Sequence, residues 1–442
     1  MSQLKAGFAR VDITPPLGVH LVGYPTIRIA DGILDPLLAT AVAVSDGTNT
    51  AVMISVDVIG VDQELSDEVR DGIAELTGIS RTAVFVAGTH THLGPAVPKL
   101  YAERYKEEVT RPILQKMIGV AKMAIDDLKP ATMYTNAART PVDIAFIRRF
   151  KMKDGSTRTN PGFLNPEIDH PIGEADHRVA LTYFLRENAP EIALINFQVH
   201  PDVIGGTKMS ADYPGFVRRT YEAAVENSLC MYINGPQGDT NHFDVNAPEG
   251  MLRGGYEMSR HMGRVIAGTA MALRAKAIPT EGVPVRAFQK NIQVPHNKGT
   301  AEEVEKAKHI DQLYREGRYE EIWPVQDMML TTILSEARRM INLADKPDYK
   351  ELHVTGIAMG DFALVGFPGE PFTVIGTEVK KASPFAMTFA ACCANGYEGY
   401  FPAESAYAEG GYEARNAKYK PGVAEALIAA GKEVLETLYK EG

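Results

Sequence analysis

The sequence predicts an α/β protein, and three observations carry that prediction. Apolar runs of strand length alternate with helical stripes through the first half of the chain. A charged, strand-free segment at 300–345 with helical periodicity then interrupts further strand-like runs. The apolar fraction of 45% and charged fraction of 23% over 442 residues are those of an ordinary globular core.

The elements follow in order. Leu37–Val44 and Ala51–Asp57 read as strands joined at Asp46-Gly47, a hairpin turn. Gln63–Leu76 has helical spacing, and Thr82–Ala87 reads as a buried strand. Arg104–Leu128 places Val109, Ile113, Met117, Val120 and Ala121 on one helical stripe. Strands are predicted over Val179–Phe184 and Ile192–Val199, a helix over Asp212–Glu226, a strand over Leu229–Ile233 and a helix over Gly254–Ala275. Val283–Val294, Glu351–Ile357 and Phe362–Val365 read as strands on either side of the 300–345 insertion, which Pro324 divides into two helices. The insertion is placed either over an active-site mouth or as a peripheral scaffold. Phe372–Lys380 reads as a helix, Phe385–Ala391 as a strand, Asn395–Tyr412 as a Gly- and Tyr-rich loop, and Pro421–Tyr439 as the closing helix.

The formal charge of −10 argues against a nucleic-acid groove or an anionic membrane surface as partner. No segment approaches the roughly 18 apolar residues of a membrane span, and residues 1–7 lack the apolar core of a signal peptide. Cys230, Cys392 and Cys393 are expected to be buried, reduced thiols. A small-molecule substrate and a cytoplasmic location are expected, without stable membrane association; homo-oligomerisation is left open.

The chemistry concentrates at ends of strands. Gly88-Thr89-His90-Thr91-His92-Leu93-Gly94-Pro95 puts two imidazoles one residue apart, and on a strand i and i+2 share a face. His200 repeats the arrangement after Ile192–Val199, with Pro201-Asp202 turning away. Two imidazoles alone do not complete a zinc site, so His200 is the natural partner for His90. Glu370 follows the strand and Pro-Gly turn of Ala363–Gly369, where α/β sheets gather functional groups, although a helix-start acid is the plain alternative. Gly235–His242 is another strand-to-loop junction; Asp239 is either a partner that orients a histidine or part of a turn.

Together these stretches resemble the neutral (non-lysosomal) ceramidase family. The likeness runs from Arg10-Val11-Asp12-Ile13-Thr14-Pro15-Pro16 through the Thr-His-Thr-His-x-Gly-Pro core, His200, Gly238-Asp239, Phe367-Pro368-Gly369-Glu370 and Asn395-Gly396-Tyr397-Glu398-Gly399-Tyr400 to Tyr412-Glu413. The resemblance implies a catalytic domain built on a mostly parallel mixed sheet flanked by helices. It implies a zinc ion held by His90, His200, Glu370 and Tyr400, with His92 and Tyr412 beside the metal and Arg148 assisting the substrate. One such domain is expected over 1–442, with the helical insertion and without the family's immunoglobulin-like C-terminal domain. The loop at Gly238-Asp239-Thr240 lacks the family's serine, so a serine nucleophile gains no support. The expected function is zinc-dependent hydrolysis of a linear amide (N-acyl) bond through a metal-bound hydroxide. The alternatives are hydrolysis or elimination on a sugar or other polar metabolite, and a non-enzymatic protein keeping a closed structural metal.

Overall fold

The computed structural model describes residues 3–441 except Ala102. Its larger sheet contains β1 (Lys5–Asp12), β2 (Leu38–Ser45), β3 (Thr50–Val56), β4 (Val84–Gly88), β5 (Lys129–Arg139), β6 (Arg178–Arg186), β7 (Glu191–Phe197) and β8 (Ser228–Asn234). They lie in the order β8-β7-β6-β5-β1-β2-β3-β4, with Ile278–Thr280 added beside β5. The smaller sheet is formed by β9 (Val285–Pro295), β10 (Tyr349–Met359), β11 (Phe362–Gly366) and β12 (Met387–Ala391), in that order.

Helices flank a mixed sheet, as expected, but the predominance of parallel neighbours does not hold. Within the order above, parallel pairing is confined to the ends, β3 with β4 and β7 with β8. The central pairs are antiparallel. Connection length accounts for this. A parallel return needs a crossover, which α1 (Gln63–Thr77) supplies before β4 and α3 (Asp212–Ala224) before β8. The Asp46-Gly47 turn between β2 and β3 permits only a hairpin.

Side-chain alternation sorts the strands' residues into layers. On β2, Ala39, Ala41 and Ala43 face α1 and α2 (Glu107–Asp126), whereas Val42 and Val44 face the smaller sheet. On β4, Val84 and Val86 divide from Phe85 and Ala87 in the same way. α3 and α4 (Gly255–Arg274) cover the other half of the large sheet through Tyr213, Val217, Met262 and Ile266. Between the sheets, Phe8, Met53, Phe85 and Leu194 meet Ile357, Phe362, Leu364 and Phe389. Beyond β9–β12 lie α7 (Thr373–Ala382) and α8 (Val423–Lys440), carrying Ile375, Val379, Leu427 and Val434 into the last apolar layer. The layers therefore run helix, sheet, sheet, helix, with each buried aliphatic or Phe side chain worth about 1.5–3 kcal/mol as an upper estimate.

The insertion is helical as predicted. α5 (Ala301–Arg315) begins with a capping box between Thr300 and Glu303, α6 (Met328–Leu343) follows Pro324, and the pair connects β9 to β10. All three cysteines are free and buried. No helix among the described residues is long and apolar enough to cross a membrane.

Candidate metal centre

Loops following β4, β7 and β11 bring His90, His200 and Glu370 together across the seam between the sheets. His90 and His92 do not lie on a strand, contrary to the expectation from their spacing. β4 ends at Gly88, and His90 adopts a left-handed backbone with φ +72°. The last parallel-ladder bond runs from Thr89 N to Val56 O (2.8 Å), and the chain then turns, because His90 N takes Val58 O (3.0 Å), the carbonyl that a continued ladder would offer to Thr91 N. The two rings still meet, with centroids 5.1 Å apart, so a turn and not strand periodicity pairs them.

His90, His92 and His200 are buried, and their ligand nitrogens all lie within 4.8 Å of one another. His90 Nδ1 donates to Ile59 O at 2.7 Å and His200 Nδ1 to Gln237 O at 3.2 Å. A carbonyl only accepts, so in each neutral ring the proton sits on Nδ1 and Nε2 is bare. Those two Nε2 atoms are 3.1 Å apart. Glu370 Oε2 lies 3.4 Å from one and 3.5 Å from the other, and this buried oxygen has no hydrogen-bond partner. Two bare nitrogens and a carboxylate oxygen converging without a donor form a ready-made cation site, and the donor set suits a transition metal. The His200 ring is driven well below its ordinary pKa by burial, with Arg148 and His90 adding to the effect.

His92 differs from the other two rings. Its Nε2 lies 3.4 Å from the bare His90 Nε2, which can only accept, so the His92 proton sits on Nε2, and among the described residues its buried Nδ1 has no partner. Burial, then the neighbouring His90, push its pKa down to about 3. The Tyr24 ring meets it edge-on at 5.1 Å, and Arg28 holds its carbonyl at 2.6 Å.

A two-residue parallel pairing sets Glu370 beside Tyr400. The Tyr400 ring lies 6.4 Å from His200 and 5.5 Å from Tyr412. Arg148 is buried with its guanidinium 5.3 Å from the Tyr400 ring, fixed by Glu413 (2.6 Å) and Gly238 O (2.8 Å). Arg149 turns instead to Glu409 and Gly410 O, which settles which of the adjacent arginines faces the centre. The seven residues that the resemblance assigned thus gather in one region.

Asp239 does not orient a histidine: it accepts from the Thr373 backbone and hydroxyl at the start of α7. Asp57 is likewise engaged, with both oxygens on buried Arg218 at 2.9 and 2.6 Å. Sequence reading missed Tyr397, whose hydroxyl donates to Glu370 Oε1 at 3.1 Å, and Tyr101, 3.3 Å from that hydroxyl. Tyr397 lies within the Gly- and Tyr-rich loop, but spacing does not distinguish it from Tyr400. Tyr101 and Tyr24 carry no sequence signal.

The centre opens into a cleft of about 410 Å³ that His90, His92, Glu370, Tyr400 and Tyr412 help to line. Residues of α5 and α6, including Asp311, Arg315, Arg338 and Leu343, form another part of its wall. Between the two placements open from sequence, the insertion takes the one beside the site.

Fold and centre together define a mixed α/β protein with a buried histidine–carboxylate cluster able to hold a metal ion. Residues 4–237 match the family described as neutral/alkaline non-lysosomal ceramidase, N-terminal, and the chain belongs to that family. Membership identifies an enzyme of an amide-hydrolysing family. The fold is similar to that of the neutral ceramidase from Pseudomonas aeruginosa, with a TM-score of 0.77 at 17% identity over 100% of this chain and 75% of that one. A ceramidase described as complexed with C2 is similar at TM-score 0.76 and 15% identity, over 100% of this chain and 76% of the other.

Proposed function

We propose that the protein is a zinc-dependent hydrolase of a linear amide (N-acyl) bond. The observation that carries this reading is the convergence of His90 Nε2, His200 Nε2 and the unpartnered Glu370 Oε2 at one buried point. His90, His200, Glu370 and Tyr400 are assigned as the residues that hold the ion. Zinc in such a site supplies an acidified water and polarises a carbonyl.

The remaining groups have separable tasks. His92, without an orienting partner at Nδ1, is assigned to relay a proton through Nε2, from the attacking water to the leaving amine. Tyr412 and His92 are assigned to donate hydrogen bonds to the negative charge that develops on the carbonyl oxygen. Arg148, committed to Glu413 and Gly238 O, holds Tyr400 in place and lends positive charge to that side of the centre.

The test pairs elemental analysis of the purified protein with turnover of a panel of N-acyl compounds. Bound zinc, loss of hydrolysis on chelation and its return with zinc are the expected results. Hydrolysis that survives complete metal removal refutes the proposal.

A further inference from the structure

The wall formed by the insertion has a charge balance that suits a particular class of substrate. Asp311 accepts from Arg315 Nε at 2.7 Å and from Arg338 Nε at 2.8 Å, and Arg315 also reaches Glu103 at 2.8 Å. These four groups cancel in net charge. Arg104, from the loop before α2, has no such counter-ion. Among the described residues it donates to the backbone carbonyls of Tyr24 (2.9 Å) and Pro25 (2.7 Å) and forms no ion pair. Arg104 and Arg338 line the same cleft as His90 and His92. Burial, and with it the charge of Arg338, lowers the pKa of the Arg104 guanidinium. Among the described residues Arg338 donates through its Nε alone, which leaves both of its terminal nitrogens for a ligand, and Tyr314 lies 5.2 Å away against the guanidinium.

We propose that the cleft takes a small amide bearing an anionic group, a carboxylate or a phosphate, which Arg338 and Arg104 receive while the amide lies at the histidine cluster. The proposal rests on the amide-hydrolase reading above and narrows its substrate class. A planar guanidinium with two free nitrogens matches the two oxygens of a carboxylate or phosphate. An anion there also relieves the repulsion between the two arginines. An alkyl chain laid on the same wall strips water from Arg315, Asp311 and Arg338 and returns no hydrogen bond, a cost without compensation.

Binding tests this without turnover. The ligands are ketones in which a methylene replaces the amide nitrogen, ending in carboxylate, phosphonate or neutral carboxamide, in several chain lengths, titrated calorimetrically into the metal-loaded protein. For at least one chain length an anionic member is expected to bind about 10- to 100-fold more tightly than its carboxamide. The phosphonate and carboxylate arms decide which anion is preferred. In Arg338→Gln the ratio of the two dissociation constants collapses toward one, and Arg338→Lys restores part of it. Equal binding of charged and neutral ligands at every chain length overturns the proposal, as does an Arg338→Gln protein that weakens both alike. Failure of the amide-hydrolase reading is distinguishable, because N-acyl compounds then remain uncleaved while the anion preference persists.

Discussion

His90 and His92 stand one residue apart, yet their surroundings predict opposite consequences of removal. His90→Ala deletes a ring whose Nδ1 is fixed by Ile59 O at 2.7 Å and whose Nε2 lies 3.1 Å from that of His200. Losing only the orienting partner of a ligating histidine costs about 10- to 100-fold in metal affinity, so losing the ring sets a floor of about 100-fold, or about 2.7 kcal/mol. His92→Ala removes a ring with no orienting bond at Nδ1, and the His90, His200 and Glu370 donors stay in place. Its metal affinity is expected to stay within about tenfold of wild type, since the change touches the ligands only as a neighbour. Competition with a chromophoric chelator gives both dissociation constants, and the visible spectrum of the cobalt-loaded protein reports the ligand set. The expected pattern is a weakened site with an altered spectrum for His90→Ala. For His92→Ala a near-native spectrum and lost turnover are expected. Equal loss of metal in both variants, or a changed cobalt spectrum in His92→Ala, refutes the division of roles.

Two further perturbations probe the packing against His92 and an ion pair elsewhere in the fold. Gly23 has φ +98°, and a Cβ there would lie 2.4 Å from His92 Nδ1, whereas ordinary contact begins at 3.4 Å. Gly23→Ala should therefore push the ring back and cost about 1–2 kcal/mol in left-handed strain plus about 1–3 kcal/mol in overpacking. Turnover should fall while bound metal is retained; a variant whose loss of activity tracks loss of metal contradicts the assignment. Away from the site, burial raises the Asp176 pKa, but Lys380 at 2.5 Å and Arg178 outweigh it and bring the carboxyl down from 3.8 to about 2. Because the folded value is the lower one, this carboxylate stabilises the fold by roughly 2 kcal/mol above pH 4, and the contribution fades as pH falls toward 2. Urea unfolding of wild type and Asp176→Asn should show a gap that is widest at neutral pH and narrows on acidification; a gap independent of pH contradicts the linkage.

What was legible in the sequence follows the strength of local signals. The strands towards the two ends of the large sheet, β3, β4, β7 and β8, are continuous apolar runs, and α1, α3 and α6 have clear stripes, so they were found near their observed bounds. The central strands β1 and β5 were not. Lys5–Asp12 carries Lys, Gly, Arg and Asp, and Lys129–Arg139 opens with Lys-Pro and carries Thr and Asn, because much of β5 is only partly buried. Their strand character comes from pairing with neighbours far along the chain, which no window reveals. Without them the antiparallel centre of the sheet was invisible. The site was read through strand ends and family motifs, which select chemistry-bearing residues but not supporting ones. Ile59 and Gln237 act through backbone carbonyls, which any residue supplies, and Tyr101 through a hydroxyl distant in sequence.

The placement of the centre accounts for its unusual backbone. His90 and His200 come from loops of the larger sheet, and Glu370 and Tyr400 from segments that follow β11 and β12 of the smaller one. The sheets are joined there by Gly88 N donating to Cys393 O at 3.2 Å and by a bridge between Ala87 and Ala394. Both His90 and Cys393, whose sulfur lies 3.5 Å from His90 Nδ1, have positive φ. A left-handed non-glycine residue costs about 1–2 kcal/mol, and two of them facing each other across a seam persist only where surrounding bonds over-determine them. Here the bonds to Val56 O, Val58 O, Ile59 O and Gly369 O do so. A strand continued past Gly88 would carry His90 along the sheet edge; the left-handed turn swings it back across the seam toward Glu370. The strain is thus the local cost of bringing ligands from two sheets to one point, and a cation bound there ties those sheets together.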